Sequence, residues 1–203
     1  MPRIRFATPE LERAYAAETD PAKRLMLMTT GIMMHRPTAA KMVSDLTAVI
    51  KHQATLSPKL SELIRLRIAF HNQCRSCMAM RFQEAIDDGL TDELVCSLEK
   101  PEESPDLTPA ERAALKYADL FATNHLLIND GVYNELRQYF TEGELVDIAL
   151  LCGMYVGMGR MMASLLMTDD LPETLRGPAS TKKDYVPWGV QGLVFEPLAD
   201  PVA

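Results

Sequence analysis

"LSPKLSELIRLRIAFHNQCRSCMAMRFQEAIDDGLTDELV", residues 56–95, holds the strongest structural signals in the chain. Ser57-Pro58 pairs a capping side chain with a proline at the first helical position, so a helix should run through "KLSELIRLRIAFH". A second helix is expected from about Cys74 to Asp88, ending at Gly89, and Thr91 should open a short third one. Cys74 and Cys77 stand three apart where the second helix begins. They can be a working dithiol, half of a metal site, or two small apolar fillers.

The same grammar extends outward in both directions. Asp20-Pro21 repeats the cap and proline before "AKRLMLMTTGIMMH", and Pro37 starts a helix whose Ala39, Val43, Leu46, Thr47 and Ile50 share a face. "PEESPDLT" is a proline-rich acidic loop, followed by the capping box Thr108-Pro109-Ala110-Glu111. A shorter helix fits "DGVYNELRQYF". A second box, Thr141 with Glu144, opens a long apolar helix from about Glu142 to Met167. That helix is apolar nearly all round, so it must be buried on most sides, as a central core helix or as an oligomer interface.

No stretch alternates with period two, so no sheet is expected and the fold is all-α. Residues 1–171 form one helical domain with its CxxC segment at 57–95 and irregular ends. Residues 172–203, rich in proline and glycine and containing Trp188, form an extended tail expected to pack on its own or a neighbouring subunit.

Composition narrows the function classes. The 203 residues are 47% hydrophobic and 24% charged, as in ordinary globular domains. A net charge of -7 provides no basic field for phosphate backbones, which excludes nucleic acid as the expected partner. No window of 18 uncharged apolar residues exists to span a membrane, and the N-terminus has no apolar signal region. The expected location is therefore cytoplasmic, where a CxxC is catalytic or metal-binding rather than a structural staple.

Zinc wants about four ligands, and Cys96 and Cys152 are solitary, so no metal is expected. The redox reading has a physical basis. A helix N-terminus favours a thiolate, and i, i+3 spacing sets both sulfurs on one face within disulfide reach. Arg81, four residues after Cys77, would add a fixed positive charge. On the preceding helix Glu62 shares a face with Leu66, Ala69 and Gln73, where a carboxylate is costly unless paired or used. It is either an ion-pair partner of Arg65, Arg67 or Arg81, or a proton acceptor for the thiols. His71 is a substitute base or a helix-end partner. Arg160, Tyr155 and His125 could line a cavity.

These residues resemble the core of the carboxymuconolactone decarboxylase and alkylhydroperoxidase D superfamily. The shared pattern is a capped helix with a glutamate, CxxC twelve residues later, a short helix, then "GLTDE". "LTPAERAALKYADLFATNH" and "FTEGELVDIALLCGMYVGMGRMMASL" are similar to its second half, so the resemblance covers roughly residues 20–170. It implies an alkylhydroperoxidase D-like helical bundle that assembles as trimers or hexamers, and the chain is expected to be a homo-oligomer, a dimer, trimer or hexamer. It also implies a redox-active Cys74–Cys77 dithiol/disulfide with no other cofactor. Cys77 would attack a hydroperoxide, the more exposed Cys74 would resolve it, Glu62 would join the proton relay, and a dihydrolipoamide-type thiol reductant would reopen the disulfide. The family's peroxidases place a histidine where this chain has Arg81, and often an aromatic or histidine where it has Ser76. Arg81 then either holds Cys77 as thiolate or pairs with Glu62. The leading function is a thiol-dependent peroxidase or disulfide oxidoreductase. The alternatives are a redox-switched oligomeric binding protein and a cysteine-independent lyase gripping a lactone carboxylate with Arg81 and Arg160.

Overall fold

The computed structural model of the chain describes residues 2–53, 55–171 and 193–195. The fold is all-α and is organised around α4, Pro58–His71. Ser57 caps this helix by accepting a hydrogen bond from the Leu60 amide. Every residue from Glu62 to Ala69 is buried. Such a helix needs neighbours on all sides, and it packs between α8, Pro109–Thr123, and α10, Glu142–Leu165. Ile64 and Ile68 join Ala114, Tyr117, Ile148 and Leu151 in one core cluster. Leu63 and Leu66 turn the other way, towards Met78, Leu98, Leu107 and Leu115.

The helix starts follow their caps. Asp20 caps α2, Pro21–Met33, and both capping boxes are formed, Thr108 with Glu111 and Thr141 with Glu144. Each such cap contributes about 1 kcal/mol. α3 spans Pro37–Gln53. Ahead of α2, residues that lack apolar periodicity form α1, Pro9–Ala17, capped by Thr8. Burying no residue fully, α1 leaves little hydrophobic trace in the sequence.

Two sequence expectations change here. The single helix expected from Cys74 to Asp88 is broken into α5, Arg75–Ala79, and α6, Gln83–Asp87, by an extended segment β1, Met80–Phe82. Met80 to Phe82 pair in parallel with β2, Leu193–Phe195, so a two-stranded ladder stands where no sheet was expected. Neither strand exceeds three residues, too short for period-two patterning. The rest of the 172–203 tail, Trp188 included, lies outside the described residues.

Short helices α7, Asp92–Ser97, and α9, Asp130–Leu136, complete the domain, with a 3-10 turn at His125–Leu127. By length and composition α10 is apolar enough to cross a membrane, which the sequence expectation had excluded. Within the fold its Leu145, Ile148, Leu151 and Cys152 are buried against the domain core.

Candidate functional site

The chain turns sharply between α4 and α5. Gln73 adopts φ 50°, its side-chain amide donates to the Phe70 carbonyl, and the Cys74 amide returns to the Ala69 carbonyl. Gln73 therefore leaves the face that helical counting gives it beside Glu62. The turn delivers Cys74 as the N-cap of α5, where its sulfur accepts from the Cys77 amide at 3.4 Å and lies 3.5 Å from the Ser76 hydroxyl. Cys74 and Cys77 are joined as a disulfide with their Cα atoms 5.2 Å apart. Cys74 is fully buried and Cys77 half-buried, the reverse of the expected exposure. The α4–α5 turn sinks the capping sulfur and leaves the later one nearer the surface.

Glu62 and Arg65 form a two-pronged ion pair at 2.6 and 2.7 Å, with side chains 2% and 4% exposed. Of the three arginines proposed for Glu62, the structure selects Arg65. Its guanidinium also donates to the carbonyls of Cys77, 2.7 Å, and Met80, 2.8 Å, and Glu62 accepts from the Phe82 amide at 3.3 Å. The pair thus holds backbone groups freed where the helix breaks, which would otherwise be buried without partners. Burial alone would lower the Arg65 pKa, but the Glu62 charge and hydrogen bonds outweigh it and raise it. Arg65 is the site residue that the sequence named only as a partner. Its signal was the i, i+3 spacing from Glu62 on a helix otherwise apolar at that face.

Arg81 is not placed on a helix with Cys77. It sits in β1, 3% exposed, and its guanidinium donates to the carbonyls of Met78 and Met80. Burial, with repulsion from Arg65, pulls its pKa down. It lines a cavity of about 220 Å³ with Thr91, Asp92 and Val194. A second cavity, about 320 Å³, is lined by Glu62, Ser61, Phe82, Glu84, Leu151 and Tyr155 among others. Of the three residues expected to line a cavity, Tyr155 does so, and burial pushes its hydroxyl up to about 12. Arg160 and His125 are exposed, and neither lines these two cavities. Arg160 instead reaches Asn72 and the Ala122 carbonyl. Arg81 and Arg160 are therefore not brought together as a carboxylate clamp.

His71 Nε2 donates to the Asp119 carboxylate at 2.6 Å, and Asp119 also pairs with Arg67 at 2.5 Å. Burial works to raise the Asp119 pKa, but the hydrogen bonds and charges of His71 and Arg67 outweigh it and hold the carboxyl below the ordinary range. Asp119 had no signal in the sequence, being one acid on an amphipathic helix. Burial pushes the Cys152 thiol up to about 12, which leaves it unreactive as a nucleophile. Among the described residues no group of three metal-ligating side chains is assembled.

Residues 37–120 match the carboxymuconolactone decarboxylase family. An uncharacterized protein of Mycobacterium tuberculosis is 36% identical over 105 residues, which cover 51% of this chain and 36% of that one. The match thus spans about a third of that relative's length. The uncharacterized Bacillus subtilis protein YdfG is 24% identical over 130 residues, 64% of this chain and 88% of its own. Among solved structures, a protein of unknown function from Agrobacterium tumefaciens, proposed to be the antioxidant defence protein AhpD, superposes with TM-score 0.58 at 26% identity. That match covers 66% of this chain and 92% of the other. An uncharacterized peroxidase-related protein with an alkylhydroperoxidase AhpD core, from Ralstonia eutropha, gives TM-score 0.62 at 21% identity over 88% of this chain and 99% of its own, a likeness of fold alone. Over residues 37–120 the chain is thus similar to the carboxymuconolactone decarboxylase family, and its all-α fold is alkylhydroperoxidase D-like.

Proposed function

We propose that the protein is a thiol-dependent peroxidase of the alkylhydroperoxidase D type, with Cys77 as the attacking thiol and Cys74 as the resolving one. The observation that supports it best is the closed Cys74–Cys77 pair with only Cys77 accessible. The Cys77 thiolate attacks the terminal oxygen of a hydroperoxide. An S–O bond forms, the O–O bond breaks, and the alcohol leaves with a proton. The Cys74 sulfur then displaces hydroxide from the Cys77 sulfenic acid, water departs, and the disulfide closes. A dithiol donor of the dihydrolipoamide type supplies the two electrons. It enters at Cys77, because Cys74 is buried, and the departing Cys74 thiolate is received by the Cys77 amide beside the Ser76 hydroxyl. Glu62 acts here as the positioning partner of Arg65, which fixes the Cys77 carbonyl. A reducing compartment such as the cytoplasm would keep the donor available.

The test is peroxide turnover with a dithiol donor, with sulfurs mapped by mass spectrometry. Cys77→Ser should abolish oxidation, and Cys74→Ser should leave sulfenic acid on Cys77. Unchanged turnover in either variant sinks the proposal, and one oxidation without further cycles favours the redox-switched binding protein. Glu62→Gln separates the roles of that residue. A proton relay predicts loss of about 10²-fold or more in rate, whereas a positioning role predicts a less stable protein whose folded fraction still reacts within about tenfold.

A further inference from the structure

A cavity of about 600 Å³ lies where the two ends of the domain meet, within the range of small-molecule sites and larger than either cavity beside the CxxC segment. Residues between 2 and 16 line it together with Arg24, Asp169 and Asp170. None of them falls within 37–120, the stretch that matches the carboxymuconolactone decarboxylase family. Pro2, Ile4, Pro9 and Ala16 supply apolar wall, and Phe6 and Tyr15 pack on the core cluster of Leu25, Met28 and Leu165.

Arg24 gives the cavity its polar end. Its Nε donates to Asp170 at 2.6 Å, and its Nη1 donates to the carbonyls of Tyr15 and Glu18, both at 2.9 Å. Its guanidinium carbon also lies 4.1 Å from the centre of the Tyr15 ring. A guanidinium has five N–H donors, and these bonds use those on Nε and Nη1. The two on Nη2 make no hydrogen bond among the described residues. Held at three points and on a ring face, this edge is fixed before any ligand arrives, which lowers the ordering cost of binding. Arg5, exposed, adds a second guanidinium to the same lining.

We propose that this cavity binds an aliphatic monocarboxylate, its head on Nη2 of Arg24 and on Arg5 and its chain along the apolar wall. Donors that cannot accept select an acceptor head, and a carboxylate matches the guanidinium edge with charge-assisted bonds. Both rings are already engaged, Tyr15 with Arg24 and Phe6 with Tyr15 and Gly31, so the walls suit a chain better than a stacked ring. Asp170 does not compete for the head. Its oxygens take the Arg24 Nε and the Tyr15 hydroxyl, and burial with the Asp170 bond lifts that hydroxyl to about 12, so its proton stays in place at neutral pH. Glu12 and Asp169 are exposed, where salt and water screen them. The site is independent of the peroxidase proposal.

Titration calorimetry of the full chain with decanoate, kept below its micelle concentration, tests it. The wild type should take up one decanoate per chain. Octanoate should bind about 15-fold more weakly, as the loss of two buried CH₂ groups requires. Decanol and decyltrimethylammonium, which keep the chain and change the head, should bind at least about tenfold more weakly than decanoate. Arg24→Lys, which keeps the charge and removes the edge, should cost about tenfold or more. Arg5→Gln should weaken decanoate severalfold, and Ile4→Glu, which sets a carboxylate in the wall, should abolish the binding heat. Ile4 and Arg5 are exposed, so these two variants keep the fold even where Arg24→Lys loses it. The absence of saturable decanoate binding overturns the proposal. So does equal affinity for decanol or the ammonium surfactant, or unaltered affinity in Arg5→Gln and Ile4→Glu.

Discussion

Asp119 shows how much one side chain can gather. His71 and Arg67 both close on its carboxylate, and Arg67 also spans to the Leu98 carbonyl, so three helices' worth of backbone meets at one charge. Its pKa is held below the ordinary carboxylate value of about 3.9. A depressed folded pKa means stability that is present above the unfolded value and is lost as pH falls through the folded one. Asp119→Asn should therefore lower stability at neutral pH by roughly 2 kcal/mol, between the exposed-pair value and the buried-pair value. It should also flatten the loss of stability below about pH 4. Urea unfolding from pH 7 down to pH 3 measures both, and parallel curves for the two proteins would refute the assignment. At this scale the sequence singled out the cysteines, Glu62 and His71, but it put the more exposed sulfur on Cys74 where the structure has it on Cys77. Which sulfur is covered depends on a positive φ at Gln73, a conformation uncommon for any side-chain-bearing residue and unmarked by glycine.

The elements divide by how local their causes are. Helices α2, α4, α8 and α10 begin where a cap and its partner residue put them, because each cap is satisfied within four residues. The break at Met80–Phe82 has causes 15 to 113 residues away: Glu62 and Arg65 on α4, and the strand Leu193–Phe195. Helix propensity over "CMAMRFQEAI" gives no warning of it, since nothing in that stretch breaks a helix. Phe195 anchors the ladder. It is 7% exposed, clusters with Ala79 and Leu165, and meets the Phe82 ring edge-on at 6.3 Å. Phe195→Ala should cost about 3 kcal/mol and speed hydrogen exchange at residues 80–82 well ahead of α4. Unchanged protection there would mean that the tail strand does not hold the segment following the cysteines.

Across the whole molecule, α4 lies at the centre and the ends fold back on it from outside. Backbone hydrogen bonds fasten the N-terminal arm, the Arg3 amide to the Leu165 carbonyl and the Ala7 amide to the Gly31 carbonyl, and the His35 ring meets the Arg5 carbonyl between them. Phe6 packs against Gly31 and, tilted, against Tyr15, and Asp170 joins Tyr15 to Arg24, so the two ends of the domain share one network. Sequence periodicity cannot show this closure, because the contacts cross more than 140 residues and use polar groups that look solvated in a one-dimensional reading. Gly31 is the point where it is most easily undone. A Cβ there would stand 2.2 Å from the Phe6 ring, so the arm must shift or the helix must yield. Gly31→Ala should destabilise by about 1–3 kcal/mol despite the better helix propensity of alanine. For a chain of this size that is a fall of roughly 2–12 °C in Tm. Limited proteolysis should open the arm before the core. Gly143→Ala is the matched control: its Cβ comes no nearer than 3.9 Å to Thr141, so the same substitution should raise Tm slightly. If both variants gain stability alike, the arm is not clasped to α2 at Gly31, and the joining of the two ends rests on the Arg3 contacts to Ser164 and Leu165 and on the Tyr15–Asp170–Arg24 network.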